Sequence, residues 1–480
     1  MASYDYDMIV IGGGAAGLTA AGMSALLGAR TALIERHRLG GDCTWNGCIP
    51  SKTLLRAAHV AHAIRTSDRY GIEAAPPRVD FRRVMERVRA VRQHVYQEAD
   101  APPHFEKMGV EVISATARFI DDHTVELDVS EKLRRVTSRF FVIATGSRPK
   151  NPGFAVPCLN NESLFEITEQ PERLLVLGGG PVGIEMSQAF QRLGTRVTVV
   201  APGPEILTKD DPQLTGMLRK KLAEEGIEFR MGARVTAVAN QAGGFLAHLD
   251  NGESLETDAV LASIGREPRT EDLGLENAGV AKSEKGIVVD RFCRTSRRNI
   301  FAAGDITGRY QFTHMAEHMS KIAVTNALLR VPKALDERRV CWCTFTDPEL
   351  AQVGETEEKL RRTGTKYQVY DFPFSKLDRA ITESETTGLV KAFASPRGDI
   401  LGASILGARA GEMIAEFSLA MRGGLKLSTV AETIHAYPTY ALGNRRAADR
   451  WYNKQLDSPL LGLLGKILGY RGQRRGSAAL

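Results

Sequence analysis

The sequence predicts an α/β protein built from two Rossmann-like dinucleotide-binding units and a third, C-terminal α/β domain. Three observations carry this reading. A strand, glycine loop, helix and second strand open the chain at Asp7–Glu35. The same order returns at Leu174–Val200. Past residue 340, strands and helices follow one another without a glycine loop, which marks a different layer arrangement. At 480 residues the chain has length for about three domains, each with room for its own core.

Composition narrows the class. Hydrophobic residues make up 43% and charged residues 25%, ordinary values that exclude a disordered or fibrous chain. Six cysteines (Cys43, Cys48, Cys158, Cys293, Cys341 and Cys343) are too few for a disulfide scaffold. The first residues lead straight into an apolar strand with no leader pattern, and no apolar run reaches the roughly 18 residues of a membrane span. A cytoplasmic protein is expected, where a disulfide is usually transient and catalytic. Residues 445–480 hold eight Lys/Arg against two Asp and so carry the whole net charge of +6. The body is electrically balanced, and no nucleic-acid partner is expected of it.

In the first unit, Asp7–Ile11 is an apolar strand that enters Gly12-Gly-Gly14-Ala-Ala-Gly17. A helical run covers Leu18–Leu27, and the strand Thr31–Ile34 ends at Glu35. Glycines at this spacing let backbone approach a pyrophosphate at a helix N-terminus, and the acid suits a ribose hydroxyl. Helices are expected at about 53–66 and 80–99, and strands at about 110–120 and 123–128. The buried strand Phe140–Ala144 leads to Thr145-Gly146, and the Pro- and Gly-rich residues 149–157 read as a domain boundary.

In the second unit, the strand Leu174–Leu177 enters Gly178-Gly-Gly180-Pro-Val-Gly183, followed by a helix to Leu193 and the strand Arg196–Val200. Ala201 stands where the first copy has Glu35, and no Arg follows within Pro202–Glu205. Two nucleotide cofactors are implied, with neither NAD nor NADP selected for the second. A strand within 258–269 ends at Gly265-Arg266. The apolar Ile300–Ala303 run ends at Gly304-Asp305, an acid placed to face a ligand crevice or to cap a helix.

Cys43 and Cys48 stand five positions apart in Gly40-Gly-Asp-Cys-Thr-Trp-Asn-Gly-Cys-Ile-Pro-Ser-Lys52, just before a helical pattern reaching Ile64. On an ideal helix their Cα atoms would lie roughly 8–9 Å apart. A disulfide needs less than about 7 Å, so pairing requires a distorted backbone, for which Asn46-Gly47 is the pliable spot. Two free buried thiols are the alternative.

The C-terminal region offers strands at Val340–Phe345, Tyr367–Phe374, Gly388–Ala394 and Ile400–Leu406, and helices at about 410–422 and 428–434. Cys341 and Cys343 share one strand face, which suits either packing or a soft-metal site.

Taken together, these motifs resemble the class I flavoprotein disulfide reductases, the family of dihydrolipoamide dehydrogenase, glutathione reductase and mercuric reductase. The likeness rests on Gly12–Gly17 with Glu35, the Cys43–Lys52 segment, Ala144-Thr145-Gly146, Gly178–Glu185, Gly304-Asp305, Thr346-Asp-Pro-Glu349 and His435-Ala-Tyr437-Pro438-Thr. It spans nearly the whole chain. It implies an FAD-binding domain at 1–150 completed by 276–338, an NAD(P)H-binding domain at 151–275, a dimerisation domain at 339–457 and a tail at 458–480. The cofactors would be FAD and NADPH or NADH, held at Gly12, Gly14, Gly17, Glu35, Thr145, Gly146, Gly178, Gly180, Gly183, Arg266, Gly304 and Asp305. Asp305 would hold the ribityl chain, and Lys52 with Glu185 would form an ion pair beside the flavin ring. Cys43 and Cys48 would form a redox-active disulfide. Cys48 would be the thiolate next to the flavin and Cys43 the outer thiol that meets substrate. A helix start would lower a thiol pKa, and Asp42 would oppose this at Cys43. The active site would be shared between the subunits of a homodimer.

One place departs from the disulfide-reducing members. Where they carry a His before Pro-Thr and a Glu five residues on, this chain has Tyr437 and Leu442. A tyrosine with a pKa near 10 is a poor proton shuttle. Mercuric reductase also resembles this chain in carrying Tyr there, and Hg(II) needs no His base. The metal-relay cysteines of that enzyme are missing here. Three readings follow: a mercuric-reductase-like oxidoreductase acting on a soft metal ion or small thiol/disulfide, a dihydrolipoamide dehydrogenase with His435 as base, and a membrane-surface electron-transfer flavoprotein. The third rests on Ser458–Tyr470, whose leucines lie at helical spacing with basic residues after them. Such a helix can lie on an anionic membrane or pack on a dimer partner.

Overall fold

The computed structural model describes residues 4–456 and 458–470. Short buried strands between helices build the first layer. Tyr6–Ile11 pairs in parallel with Thr31–Glu35 on one side and Lys132–Ile143 on the other. Val110–Ser114 extends this sheet beyond Thr31–Glu35, and Ile300–Ala302 docks outside Lys132–Ile143. The second crossing returns from more than 150 residues away, so residues after the second unit complete the first. The strand expected at about 110–120 is two strands. Val110–Ser114 stays in the parallel sheet, whereas Thr116–Phe119 joins an antiparallel extension with Thr124–Val129.

The second unit repeats the plan with four parallel strands in the order Glu228–Met231, Arg196–Ala201, Arg173–Leu177, Ala259–Ala262. A three-stranded antiparallel sheet (Val235–Gln241, Gly244–Leu249, Ser254–Thr257) interrupts it. The two units are joined by more than a linker. At the expected boundary, Ser147–Pro149 pairs antiparallel with Arg266–Pro268.

The C-terminal domain is a five-stranded antiparallel sheet. Its order is Cys341–Thr344, Glu349–Gly354, Ile400–Gly407, Leu389–Ala394, Gln368–Pro373. Helices Ala410–Gly423 and Leu442–Leu456 pack into its core through Phe417, Ala447 and Ala448. The strand Glu349–Gly354 went unread in the sequence because it is an unbroken buried run rather than an alternating one. Helix Pro459–Ile467 closes the described chain and buries none of its residues. The tail's Arg471, Arg474 and Arg475 lie outside the described residues. Among the described residues, no helix is long and apolar enough to cross a membrane.

Candidate active site

The glycine loops turn at the same place in both units. Gly12 and Gly178 have φ of +106° and +105°, a region that side chains rarely adopt. A Cβ on either would fall 2.4 Å from the Ala144 carbonyl oxygen or 2.6 Å from that of Ser263. Gly14 and Gly180 differ. A Cβ on Gly14 would meet nothing closer than Gly41 Cα at 3.7 Å, and one on Gly180 nothing within 4 Å. These two glycines cap the helices Ala15–Leu26 and Pro181–Leu193, whose first N–H groups have no partner within the helix. The open space in front of them is a cradle that a side chain would fill. It fits a pyrophosphate in each unit.

One continuous cavity of ≈ 3010 Å³ joins both cradles and passes Cys43 and Cys48 on the way. At its first end Glu35 accepts hydrogen bonds from Gly13 N at 2.7 Å and His37 N at 2.8 Å. Further in, Ser147 Oγ donates to Asp305 at 2.6 Å, and burial pushes the Asp305 carboxyl above the usual carboxylate range. Asp305 begins the turn Asp305–Thr307 but does not cap it, so the capping alternative falls. Thr145 Oγ1 donates to the Arg269 carbonyl at 2.9 Å, and neighbouring Gly146 has φ of +69°. Arg266 is a hub. It donates to Ser147 Oγ at 2.7 Å and Asn161 Oδ1 at 3.0 Å, pairs with the Asp42 carboxylate, and lies 3.7 Å from Asp305 Oδ2. Asp42 was expected to act on Cys43; it is turned to this guanidinium instead. At the far end, past Ala201, Glu205 is held by Arg219 at 2.7 Å and by its neighbour's amide. No free acid stands there for a ribose.

The cysteines sit on two helices rather than one. Gly41–Trp45 carries Cys43, and Cys48 opens Cys48–Arg65. The break falls at Asn46-Gly47. A Cβ on Gly47 would lie 2.8 Å from the Asp42 carbonyl oxygen, so the chain can fold back only with glycine there. Both cysteines are unbonded thiols within hydrogen-bonding reach of each other. Thr313 Oγ1 lies 3.3 Å from Cys48 Sγ. The two thiols are unequal. The bond from Cys43, then the Thr313 hydroxyl and the Lys52 charge, outweigh burial and bring Cys48 down to about 6. Cys43 is pushed well above the thiol range by its bond to Cys48 and by burial.

Lys52 lies one helical turn beyond Cys48. Its Nζ is 2.8 Å from Glu185 Oε2, and it stands 4.4 Å over the Phe345 ring. Glu185 is buried and also accepts the Phe345 amide at 2.9 Å. One carboxylate thus ties the first unit to the second and to the C-terminal domain.

His435 and Tyr437 do not line this cavity within the subunit. They also part ways. His435 Nε2 turns inward to Glu416 Oε1 at 2.9 Å, and its side chain is only 7% exposed. Tyr437 is 69% exposed and donates to Asp378 at 3.0 Å, which raises its phenol pKa. Residues 433–440 form a loop between helices, so strand alternation does not govern them. Leu442 is buried in the domain core. Cys341 and Cys343 pack on their strand, and no cluster of three or more metal-ligating side chains exists among the described residues. Thr313, Ser147 and Phe345 escaped the sequence reading. Phe345 borders the Thr346–Glu349 motif, but a lone Thr or Ser gives no signal of its own.

Two dinucleotide cradles opening on an unequal thiol pair beside a lysine–glutamate ion pair define a nucleotide-dependent dithiol oxidoreductase. Residues 6–320 match the pyridine nucleotide-disulphide oxidoreductase family, and residues 340–447 match its dimerisation domain. The chain belongs to this family, and its cofactors are FAD and NAD(P)H. It is 34% identical over 441 residues to dihydrolipoyl dehydrogenase of Geobacillus stearothermophilus, covering 90% of this chain and 93% of that one. It is 32% identical over 457 residues to mercuric reductase of Staphylococcus aureus, covering 92% and 82%. Its fold matches LpdA of Mycobacterium tuberculosis with a TM-score of 0.87 at 27% identity, covering 92% and 99%. It also matches the Cu(II) complex of the HOCl-induced flavoprotein disulfide reductase RclA of Escherichia coli at 0.83 and 29%, covering 94% and 99%. The dimerisation match supports a homodimer.

Proposed function

We propose that the protein passes an electron pair from NAD(P)H, by way of FAD and the Cys43–Cys48 pair, to a soft metal ion or a small disulfide. The observation that carries this is the unequal thiol pair: an acidic Cys48 beside Lys52 and a protonated Cys43 next to it. FAD, when bound, supplies hydride acceptance and delivery of two electrons onto sulfur. Reducing a Cys43–Cys48 disulfide breaks one S–S bond and takes up two electrons and one proton. Cys43 keeps the proton and Cys48 the negative charge, which Lys52 and the Thr313 hydroxyl stabilise. Glu185 orients Lys52. Cys43 then meets the acceptor.

The metal arm is favoured by His435. Both its ring nitrogens are engaged, with Thr433 O at 2.9 Å and with Glu416, so it is poorly placed to serve the dithiols as a base. Among the relatives is a mercuric reductase, and soft thiolates suit Hg(II). Anaerobic titration with NADH and with NADPH, followed by Hg(II), Cu(II), small disulfides and lipoamide as acceptors, tests this. Acceptor-dependent turnover abolished by Cys43→Ser is expected. Lipoamide turnover exceeding every other acceptor would replace this reading with the dihydrolipoamide dehydrogenase one.

A second reading concerns place, at the inner face of a membrane. Helix Pro459–Ile467 exposes Leu460, Leu463 and Ile467, and in sequence the net positive charge of the chain falls within residues 445–480. We propose that this helix lies on anionic bilayers. Co-sedimentation with phosphatidylserine vesicles, lost on truncation before Ser458, is expected. Equal sedimentation of the truncated protein would refute it.

A further inference from the structure

The short helix that carries Cys43, Gly41–Trp45, is gripped from outside by one long neighbour. Helix Phe81–Val95 runs on into a single π turn, Tyr96–Asp100, closed by the Ala101 amide donating to the Tyr96 carbonyl at 2.8 Å. Such a wide turn is rare and often accompanies a functional site. Three residues of this rod reach the cysteine helix. Arg92 donates to the Trp45 carbonyl at 3.0 Å, and the Tyr96 ring lies 5.0 Å from that of Trp45. Asp100 Oδ2 accepts the Thr44 hydroxyl at 2.5 Å. Thr44 is buried and directly follows Cys43. Glycine at position 40 permits this approach. A Cβ there would fall 2.9 Å from both Asp100 Oδ2 and Thr44 Cβ, at a φ of +99°.

Asp100 differs from the other acids around the thiols. Asp42 is paired with Arg266, Glu162 with Arg269 at 2.7 Å, Glu166 with Arg92 at 2.7 Å and Glu185 with Lys52 at 2.8 Å. Asp100 is half-buried and has no Lys or Arg partner among the described residues. It is faced by Thr44 and, from Pro102–Lys107, by His104, which is bonded to the Gln97 carbonyl at 2.7 Å. Burial raises the Asp100 carboxyl above its usual range, against the Thr44 bond and the His104 charge. Cys43 in turn is faced by Cys48, Thr313 and this carboxylate. A half-buried charge without a counter-ion makes a second negative charge beside it costly. The opposition to a thiolate at Cys43 that was expected of Asp42 therefore comes from Asp100. With the Lys52 charge acting on Cys48, the thiol pair is polarised from both ends.

We propose that Asp100 is a positioning residue for the outer thiol: tied to the cysteine helix through Thr44, it keeps the proton of the reduced pair on Cys43 Sγ and the negative charge on Cys48. This presupposes that Cys43 and Cys48 work as the redox pair. Asp100 makes and breaks no bond of the reaction and takes no proton from Cys43. It acts by its charge, and the Thr44 bond fixes where that charge stands.

Two variants separate charge from tether. Asp100→Asn keeps an oxygen for the Thr44 hydroxyl and removes the charge, whereas Thr44→Val removes the bond and keeps the charge. Alkylation of Cys43 by neutral iodoacetamide in the dithionite-reduced holoenzyme, followed by mass spectrometry between about pH 7 and 10, reports the outer thiolate. In Asp100→Asn the Cys43 alkylation profile should move down by on the order of one pH unit. Thr44→Val should move it the same way by less, because a released carboxylate turns to water. A profile that stays in place or moves up in Asp100→Asn overturns the proposal, even if that variant melts early. A shift there with none in Thr44→Val overturns the tether. Acceptor turnover that survives complete alkylation of Cys43 would instead remove the redox reading of that thiol, whatever the profiles show. The visible flavin spectrum of each variant reports that it has folded.

Discussion

His435 Nε2 and Glu416 Oε1 face each other at 2.9 Å, and the second oxygen of Glu416 accepts Asn444 Nδ2 at 2.8 Å. Asn444 is fully buried, so this chain of bonds pins the loop 433–440 to helices Ala410–Gly423 and Leu442–Leu456. The imidazole is a structural clamp of its own domain. His435→Ala should lower stability by about 1–3 kcal/mol, the cost of leaving buried polar partners unpaired. Acceptor turnover per bound flavin should change less than about threefold, since no described residue lining the cavity of the same subunit bonds to the ring. Thermal unfolding and turnover measured on one sample check this. A hundredfold loss of turnover with unchanged melting would make His435 a catalyst.

The thiol pair sets a pH dependence. Cys48 is brought from 9.0 to about 6 in the fold. Its thiolate should be present in the reduced enzyme above that value and vanish as pH falls through it. A depressed acid contributes stability that is complete above the ordinary thiol value and lost as pH drops through the folded one. Stability of the reduced protein should therefore rise between about pH 6 and 9. Cys48→Ser should flatten that rise. Urea midpoints across this range, for the reduced wild type and the variant, decide the matter.

Thr313 opens helix Thr313–Val324 and brings its hydroxyl to Cys48 from a distant part of the chain. It is a positioning residue. Thr313→Val keeps the shape and removes the donor, so the thiolate titration should move upward by on the order of one pH unit. Thr313→Ser should restore the midpoint. Thiolate ultraviolet absorbance follows both. No movement in the valine variant would leave Cys43 and Lys52 as the sole stabilisers.

What the sequence made legible follows from how tightly each function constrains residue type. A pyrophosphate cradle demands glycine at fixed spacing, so Gly12–Gly17 and Gly178–Gly183 announced both units. The break between Cys43 and Cys48 was legible because an ideal helix holds them too far apart and Asn46-Gly47 offered the bend. Thr313 and Ser147 were not, because one hydroxyl at one place leaves no pattern. The partners of Asp42 and His435 were hidden for a related reason. Arg266 and Glu416 are fixed by chain folding, with no local spacing to betray them. The inserted sheet at Val235–Thr257 also escaped, being largely exposed and without glycine-loop punctuation.

The Lys52–Glu185 pair joins positions 133 residues apart. Lys52→Met removes the cation over Phe345 and leaves Glu185 buried, with only the Phe345 amide for company. Losing one member of a buried pair costs about 3 kcal/mol or more, and less here because Lys52 is partly exposed. A melting point lowered by several degrees is expected, with flavin reduction by NAD(P)H slowed on the order of tenfold or more. Rapid-mixing bleaching of the flavin measures the second effect. A variant that melts early but bleaches at the normal rate would confine the pair to a structural role.

The two glycines of the second loop should fail differently. Gly178 carries a φ of +105° and has the Ser263 carbonyl oxygen 2.6 Å from where a Cβ would stand, so Gly178→Ala must distort the loop and unfold the second unit locally. Gly180 has an ordinary φ of −79° and open space beside it. Gly180→Ala should therefore fold, melt normally and keep its FAD, because the first unit is untouched. The added methyl would occupy the space a pyrophosphate needs, raising KM for NAD(P)H about tenfold or more while flavin content stays constant. An unchanged KM in the Gly180→Ala protein would move the nicotinamide nucleotide away from this helix and out of the second cradle.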